Sequence, residues 1–136
     1  MNEKVQMNSL PKGFLCSGVS AGIKPNGDLD MALIYSEVLA NAAGVFTTNQ
    51  VCAAPVKLCR KNLTNSKAKA IIINSGIANA CTGELGMESA SLMAQETANH
   101  LKCSHDDILV CSTGKIGPQL PMDNIFDGIH LSLIHI

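Results

Sequence analysis

The stretch Ala70-Ile71-Ile72-Ile73-Asn74-Ser75-Gly76 decides the fold of this 136-residue chain. Its three adjacent β-branched residues predict a strand, and its unbroken apolar run predicts that both faces of the strand are covered. The small residues that follow, as far as Gly83, cannot form an ordinary core element, because small side chains let backbone approach backbone or a ligand. These two signals together predict a strand that ends in a turn which another backbone segment or a ligand can approach closely.

The same order of signals recurs downstream. Residues 87–102 form the clearest helix, with one apolar stripe at helical spacing. Residues 108–111 are a second apolar strand, a small-residue turn follows at 112–117, and a further helix begins at 121–123. The order strand, turn, helix, strand, turn, helix predicts a mixed α/β (α+β) fold. The residues of the apolar stripe are Met87, Ala90, Ala94, Ala98 and Leu101.

The region upstream of Ala70 predicts further strands. Residues 14–22 and 29–36 flank a dense turn signal that contains an Asn-Gly pair, so we expect a β-hairpin. Residues 43–48 are β-branched and bounded by asparagines, which predicts a third strand, and residues 53–58 continue in the same style. The polar segment 60–69 fits either a short helix or a loop.

Composition and charge narrow the class of function. Ten Lys and Arg residues against eleven Asp and Glu residues do not make the basic surface of a nucleic-acid-binding protein, so a small polar metabolite is the more natural partner. No apolar run approaches the roughly 20 residues that a membrane span needs. Residues 1–10 lack the apolar core of a signal peptide. We therefore expect a cytoplasmic protein that neither binds nucleic acid nor spans a membrane.

The cysteines predict no metal site. None of them forms a C-x-x-C pair and most lie in apolar runs, so we interpret them as small buried side chains, with zinc or a disulfide as the alternatives. Cys103 and His105 are close in sequence, but two ligands alone do not make a site. The six are Cys16, Cys52, Cys59, Cys81, Cys103 and Cys111.

The segment Ser112-Thr113-Gly114 is the strongest candidate for chemistry. A hydroxyl beside a sterically open N–H suits an oxyanion hole, although the same residues also suit a plain strand-ending turn. Gly114 and Lys115 do not complete a phosphate-binding loop, because Leu109 stands where that loop needs glycine. Lys115 could attract a carboxylate or could simply be solvated. No nucleophile and base form a convincing pair within the chain.

Several segments, in order, resemble the ornithine acetyltransferase (glutamate N-acetyltransferase) family. Each is weak evidence alone, but the ordered set is specific and extends from Pro11 to about Ile129. The segments are Pro11-Lys12-Gly13-Phe14, Ala21-Gly22-Ile23-Lys24, Asp30-Met31-Ala32-Leu33-Ile34, Ala42-Ala43-Gly44-Val45-Phe46-Thr47-Thr48-Asn49, Ala53-Ala54-Pro55-Val56, Asn74-Ser75-Gly76 with Ala78-Asn79-Ala80-Cys81-Thr82-Gly83, Ser112-Thr113-Gly114 with Ile116-Gly117, and Leu120-Pro121-Met122-Asp123.

The resemblance implies layered sheets and helices and an enzyme of arginine biosynthesis. Family members are made as a precursor that cuts itself at an Ala-Thr bond into α and β chains, which form an α2β2 heterotetramer. The freed threonine takes the acetyl group from N-acetylornithine as an acetyl-enzyme and passes it to glutamate, without metal or cofactor. Whether acetyl-CoA is also a donor stays open. The resemblance places residues 1–129 in the N-terminal part of the α chain and the nucleophile beyond Ile136, so this chain alone should be inactive.

The resemblance also assigns a role to Thr113 and Gly114. They form the oxyanion hole, through the threonine hydroxyl and the glycine N–H, while no residue of this chain is identified with substrate binding. Two positions depart from the family, since Ile77 stands where asparagine is common and Lys115 where an apolar residue is usual. Residues 130–136 continue no pattern, and we interpret them as a non-native tail without structural weight.

Two alternative functions fit the same residues. One is a related self-processing amidase or aminopeptidase with an N-terminal nucleophile, which a downstream segment without an Ala-Thr junction would favour. The other is a short, non-catalytic paralogue that binds a partner or substrate through the turn at 74–83. We also expect the isolated chain to be marginally folded or prone to aggregation, because its strands lack neighbours.

Overall fold

A computed structural model describes residues 10–136, so the signal-peptide prediction for residues 1–10 lies almost wholly outside the described residues. The described chain forms one four-stranded sheet in the order β1-β2-β3-β4. Three helices accompany it, together with two short 3-10 turns. The strands are β1 (Phe14–Val19), β2 (Met31–Asn41), β3 (Lys67–Ile77) and β4 (Ile108–Lys115), and the helices are α1 (Ala54–Asn62), α2 (Gly83–Leu101) and α3 (Met122–His135).

The sheet combines an antiparallel half with a parallel half. β1 pairs antiparallel with β2, with Val19 opposite Met31, which confirms the predicted hairpin. β2 is also antiparallel to β3, whereas β3 and β4 run parallel and are joined through α2. The succession β3, α2, β4, α3 confirms the predicted mixed α/β order.

The helices cover one face of the sheet. Along β3, Ala70 and Ile72 are buried in the core, while Ile71 and Ile73 between them are only partly buried. The prediction that both faces of this strand are covered is therefore wrong, because the helices of the described residues lie against one face. Strand residues of the core include Met31, Leu33, Ile72, Ile108 and Val110, and helix residues include Ala90, Met93, Ala94, Ile125 and Ile129.

Two predicted strands are wrong. Residues 43–48 form no regular structure, and Val45 is fully exposed, because this β-branched segment finds no neighbouring strand. Residues 53–58 belong mostly to α1, where Pro55 occupies the first turn, a position at which proline is favoured in helices. The segment 60–69 contains the end of α1, a short 3-10 turn and the start of β3, so it is partly helical and partly extended.

The two remaining helices extend beyond their predicted limits. α2 begins at Gly83, about one turn earlier than predicted, and its stripe of Ala90, Ala94 and Ala98 is buried as expected. α3 begins at Met122 and continues to His135. Within its last turns Ser132 is buried, and its carbonyl accepts a hydrogen bond of 2.8 Å from Ser17 Oγ. The segment 130–136 thus continues α3 and packs on β1, which corrects the expectation that it has no structural weight; its non-native origin stays a prediction.

Candidate functional site

The two small-residue segments that follow the strong strands lie side by side. In the parallel β3–β4 pair, Ser75 is opposite Thr113 and Gly76 is opposite Gly114. Both strands run further than predicted, since β3 reaches Ile77 and β4 reaches Lys115. Residues 112–114 are therefore strand rather than the plain turn that their composition also allowed, because pairing with β3 keeps them extended.

Backbone hydrogen bonds join the segments beyond the paired strands. The N–H of Ala78 donates to the carbonyl of Lys115 at 2.9 Å, and the N–H of Gly117 donates to the carbonyl of Ala80 at 3.0 Å. These bonds fix residues 77–80 and 114–117 against each other. The carboxyl ends of β3 and β4 therefore form one continuous backbone surface.

Gly76 and Gly114 permit an unusually close approach of the two strands. Both have positive φ angles, of 110° and 131°, a region that side-chain-bearing residues rarely adopt. A Cβ on Gly114 would overlap the carbonyl of Gly76 and would lie 2.6 Å from the nitrogen of Ile77. The predicted approach of backbone to backbone is confirmed at this pair.

The hydrogen bond from Ala78 to Lys115 fixes which way the backbone of β4 faces. Successive residues of a strand direct their N–H and C=O groups to opposite edges, so the groups of Ser112 face away from β3 while those of Thr113 and Lys115 face it. In the trans peptide between Thr113 and Gly114 the N–H lies opposite the C=O, so the N–H of Gly114 faces away from β3. Because β4 is the last strand of the sheet, the Gly114 N–H points to the outer edge.

Helix α1 covers only the first part of that edge. Asn62 Nδ2 donates to the outward carbonyl of Ile108 at 2.9 Å. At Val110, the Cys59 thiol donates to the carbonyl at 3.2 Å and accepts from the N–H at 3.3 Å. We call residues 108–110 the covered half of β4 and residues 112–114 the open half, since no side chain among residues 10–136 bonds to the outward backbone groups of the latter.

The predicted site residues lie in the open half. Thr113 is exposed and, by alternation along β4, projects from the sheet face opposite the helices, while Gly114 and Lys115 are exposed beside it. Ser112 projects towards the helices, where its buried Oγ has no hydrogen-bond partner. Thr113 and Gly114 are thus adjacent and accessible, and their catalytic role stays a prediction.

Sequence reasoning did not single out the side chain of Asn74, which supports the end of β3 beside the site. This side chain is fully buried opposite Ser112, and its Nδ2 donates to the carbonyl of Ile77 at 2.9 Å. Its Oδ1, like Ser112 Oγ, is buried without a partner. An asparagine that ends an apolar strand is the signal that could have identified it.

Sequence reasoning also missed Asp30, which lies at the start of β2 and is buried. Its carboxylate accepts hydrogen bonds from the N–H groups of Ala21 and Ile23, each at 2.6 Å, and of Lys24 at 2.9 Å. These bonds unite two segments that carry the family resemblance. The available signal was an aspartate directly before a buried strand.

The turn after β3 has a structural role. Thr82 Oγ1 donates to Asn79 Oδ1 at 2.7 Å, and Asn79 Nδ2 donates to the carbonyl of Gly86 at 2.9 Å. Asn79 and Cys81 adopt left-handed backbone conformations. The turn is thereby fixed to the first turn of α2.

Residues 15–134 match the ArgJ family. The chain belongs to the ArgJ family. This finding confirms the resemblance to ornithine acetyltransferases seen in the sequence.

Curated ArgJ relatives are longer than this chain. The arginine biosynthesis bifunctional protein ArgJ of Caldanaerobacter subterraneus is 54% identical over 127 residues, which make up 93% of this chain and 31% of the relative. The protein of the same name from Synechocystis is 50% identical over 120 residues, 88% of this chain and 29% of the relative. The chain therefore spans about a third of the length of these relatives.

Solved ArgJ structures share the fold. The crystal structure of ArgJ from Bacillus halodurans has a TM-score of 0.83 at 42% identity and covers 87% of this chain and 62% of that one. Ornithine acetyltransferase from Mycobacterium tuberculosis, solved in complex with ornithine, has a TM-score of 0.88 at 44% identity and covers 91% of this chain and 67% of that one.

The cysteines of this ArgJ-family chain are free, and their burial differs from the prediction. Cys59 is buried, and burial raises the pKa of its thiol. Cys81 and Cys111 are exposed, which corrects the interpretation of all six as buried side chains: Cys81 lies in a surface turn, and Cys111 projects from the uncovered sheet face.

Residues 10–136 contain no group of three or more His, Cys, Asp or Glu side chains that could hold a metal ion. No helix in this range is both long enough and apolar enough to cross a bilayer.

Proposed function

We propose that the complete protein is an acetyltransferase of arginine biosynthesis that moves an acetyl group from N-acetylornithine to glutamate. Membership of the ArgJ family and the similarity to an ornithine acetyltransferase solved with ornithine support this proposal. The observation that carries it is the open half of β4, where the outward N–H of Gly114 lies beside the exposed side chain of Thr113.

The open half has the donors that acyl transfer needs. When a nucleophile attacks the acetyl carbonyl, negative charge develops on its oxygen, and preorganised donors stabilise that charge. The Thr113 hydroxyl and the Gly114 N–H would be these donors. Because the side chain of Thr113 is exposed, its hydroxyl is free to turn towards the same oxygen.

In the proposed reaction the nucleophile is a threonine freed by self-cleavage of an Ala-Thr bond downstream of this chain. Its Oγ forms a bond to the acetyl carbon while its α-amino group accepts the hydroxyl proton. The carbon–nitrogen bond of N-acetylornithine breaks, and the proton passes to the ornithine amine. The glutamate amine then forms a bond to the acetyl carbon, the ester bond between that carbon and the threonine Oγ breaks, and the proton lost by the amine returns through the α-amino group to Oγ, which restores the free hydroxyl. No metal or cofactor takes part in this scheme.

The proposed assembly is an α2β2 heterotetramer in the cytoplasm, with the β chain cut from the same precursor. The family match favours this transferase over a related amidase or aminopeptidase. Incubation of the complete enzyme with glutamate and acetyl-CoA, in the absence of N-acetylornithine, would decide whether acetyl-CoA is a second acetyl donor. Formation of N-acetylglutamate in that mixture would show that it is.

The role of Thr113 can be tested in a completed enzyme, made by joining residues 1–129 in frame to the downstream region of the Caldanaerobacter relative. We expect Thr113→Ala to lower kcat for acetyl transfer by about 100- to 1,000-fold, because one oxyanion donor is lost. Thr113→Ser keeps the hydroxyl and is the matched control. Unchanged acetyl transfer by Thr113→Ala would refute the proposed role.

A further inference from the structure

We propose that Asp30, which directly precedes β2, is a positioning residue that fixes the direction of the Gly114 N–H on β4. The inference rests on the proposed function of Gly114 as an oxyanion donor. It follows from three successive contacts, which lead from the Asp30 carboxylate to a loop, from the loop to Gly76, and from Gly76 to Gly114.

The first contact is the grip of Asp30 on residues 21–24. Both carboxylate oxygens are used, one by the N–H of Ala21 at 2.6 Å and the other by the N–H groups of Ile23 and Lys24 at 2.6 and 2.9 Å. Charge-assisted bonds to several convergent N–H groups hold a backbone segment more firmly than neutral hydrogen bonds. Burial of Asp30 keeps water from competing for these donors. Residues 21–24, which we call the Asp30 loop, are thus held in one conformation.

The second contact is between the Asp30 loop and Gly76. A Cβ placed on Gly76 would lie 3.1 Å from Ile23 Cγ2 and 3.4 Å from Lys24 Cγ, so the loop rests directly on this glycine. The main chain of Asp30 reaches the same place, because its carbonyl accepts a hydrogen bond of 2.8 Å from the N–H of Ser75. Asp30 therefore restrains β3 in two ways. Its carboxylate holds the loop that contacts Gly76, and its carbonyl bonds to Ser75, the residue before Gly76.

The third contact is between Gly76 and Gly114, which are opposite each other in the parallel pair. The register and the bond from Ala78 to Lys115 together set the phase of the ladder, in which the backbone groups of Gly76 face β4 towards Thr113 and Lys115, the two neighbours of Gly114. The carbonyl of Gly76 is also so close to Gly114 that a Cβ there would overlap it. A rotation of the Gly76 peptide must therefore rotate the Gly114 peptide with it.

Asp28 provides a matched control for a substitution at Asp30. It lies in the same connection between β1 and β2, but it is exposed and accepts a hydrogen bond only from the nearby residue Asn26. Asp28→Asn removes the same charge at nearly the same place without touching the Asp30 loop. A difference between the two variants therefore reports on the buried carboxylate alone.

In the completed enzyme we expect Asp30→Asn to lower kcat roughly ten- to a hundredfold, because a small misplacement of a catalytic group has an effect of that size. kcat is expressed per active site, with sites counted by the burst of acetyl-enzyme, so that loss of folded protein does not mimic the effect. KM for N-acetylornithine should change less than about threefold, since a transition-state contact is affected. Asp28→Asn should match the parent enzyme in both constants.

Hydrogen exchange of the peptide that covers residues 112–117 supplies a readout independent of turnover. We expect faster exchange in Asp30→Asn than in Asp28→Asn, because the pairing of Gly76 with β4 is loosened. If Asp30→Asn gives no folded enzyme, Ile23→Ala replaces it, since this change removes the contact over Gly76 and leaves the carboxylate bonds in place. Ile23→Ala should then lower kcat per site several-fold.

The outcomes separate the inference from the function on which it rests. A fully active Thr113→Ala enzyme refutes the proposed oxyanion site itself. If Thr113→Ala loses activity as expected but Asp30→Asn keeps the parent kcat per site, only the positioning role of Asp30 is overturned. The same holds for Ile23→Ala where that variant replaces Asp30→Asn.

Discussion

The covered and open halves of β4 differ in what meets their outward backbone groups. In the covered half, α1 supplies Asn62 to the carbonyl of Ile108 and the Cys59 thiol to both polar groups of Val110. In the open half, the outward groups of Ser112 and Gly114 lie beyond the reach of α1. Within residues 10–136, α1 thus stabilises the first half of this edge strand, while no side chain bonds to the outward backbone groups of the second half. Removal of a side chain that bonds to the covered half should therefore lower stability and leave kcat unchanged. The contact of Gly114 with Gly76 is separate, because it faces β3 and stabilises the sheet from the inner side.

The largest expected effect is on stability and comes from placing a Cβ atom where Gly76 and Gly114 are in close contact. Gly114→Ala would force a Cβ into the Gly76 carbonyl, and we expect it to lower the free energy of unfolding by about 3 kcal/mol more than Gly117→Ala does. Gly117 also has a positive φ but has open space around its Cβ position, so its alanine variant should lose only about 1–2 kcal/mol. Urea unfolding of the completed enzyme measures both. Equal losses would show that the two strands are not in close contact at Gly114.

The next effect concerns the covered half. Asn62→Ala leaves the buried carbonyl of Ile108 without its side-chain donor, so we expect a loss of about 1–3 kcal/mol in the free energy of unfolding. The kcat of the folded enzyme should stay close to that of the parent. Asn99→Ala, at an exposed position of α2, controls for the loss of an asparagine from a helix. A large fall in kcat without loss of stability would contradict the division between the halves.

The smallest effect concerns Cys59. Thiols are weak donors and acceptors, so Cys59→Ala should cost about 1 kcal/mol of unfolding free energy at neutral pH. Burial raises the pKa of this thiol in the folded protein, so above the ordinary thiol pKa the unfolded chain loses the proton while the folded chain keeps it. The stability advantage of the parent over Cys59→Ala should therefore shrink as the pH rises from neutral to about 10. A stability advantage that stays constant over this pH range would show that burial does not raise the pKa of the Cys59 thiol.

Local signals predicted the elements whose formation depends on their own residues. The three isoleucines of β3 lie in a strand, and the alanine stripe of α2 is buried, as their patterns predict. Residues 43–48 have the composition of a strand but lack a partner strand, and residues 53–58 carry a proline that favours a helix start. The apolar run of β3 did not reveal that the helices cover only one of its two faces, because the run carries no information about which elements lie against each face.

The candidate site was predictable only in part, for a similar reason. Thr113 and Gly114 are adjacent in sequence, so their motif predicts an oxyanion hole without knowledge of the fold. The contacts of Asn62 with Ile108 and of Cys59 with Val110 span 46 and 51 residues, and no local pattern reveals them. The hydrogen bonds between Asp30 and residues 21–24 join positions that are closer in sequence. The proposed effect of Asp30 on Gly114, however, depends on the pairing of β2, β3 and β4.

Hydrogen exchange of single amides along β4 tests the central claim most directly, and fragmentation mass spectrometry of the completed enzyme can resolve it. The account predicts slow exchange at Thr113 and Lys115, which face β3, slow exchange at Val110, which Cys59 covers, and fast exchange at Gly114. Exchange at Gly114 as slow as at Thr113 would contradict it, because the proposed donor would then already be paired.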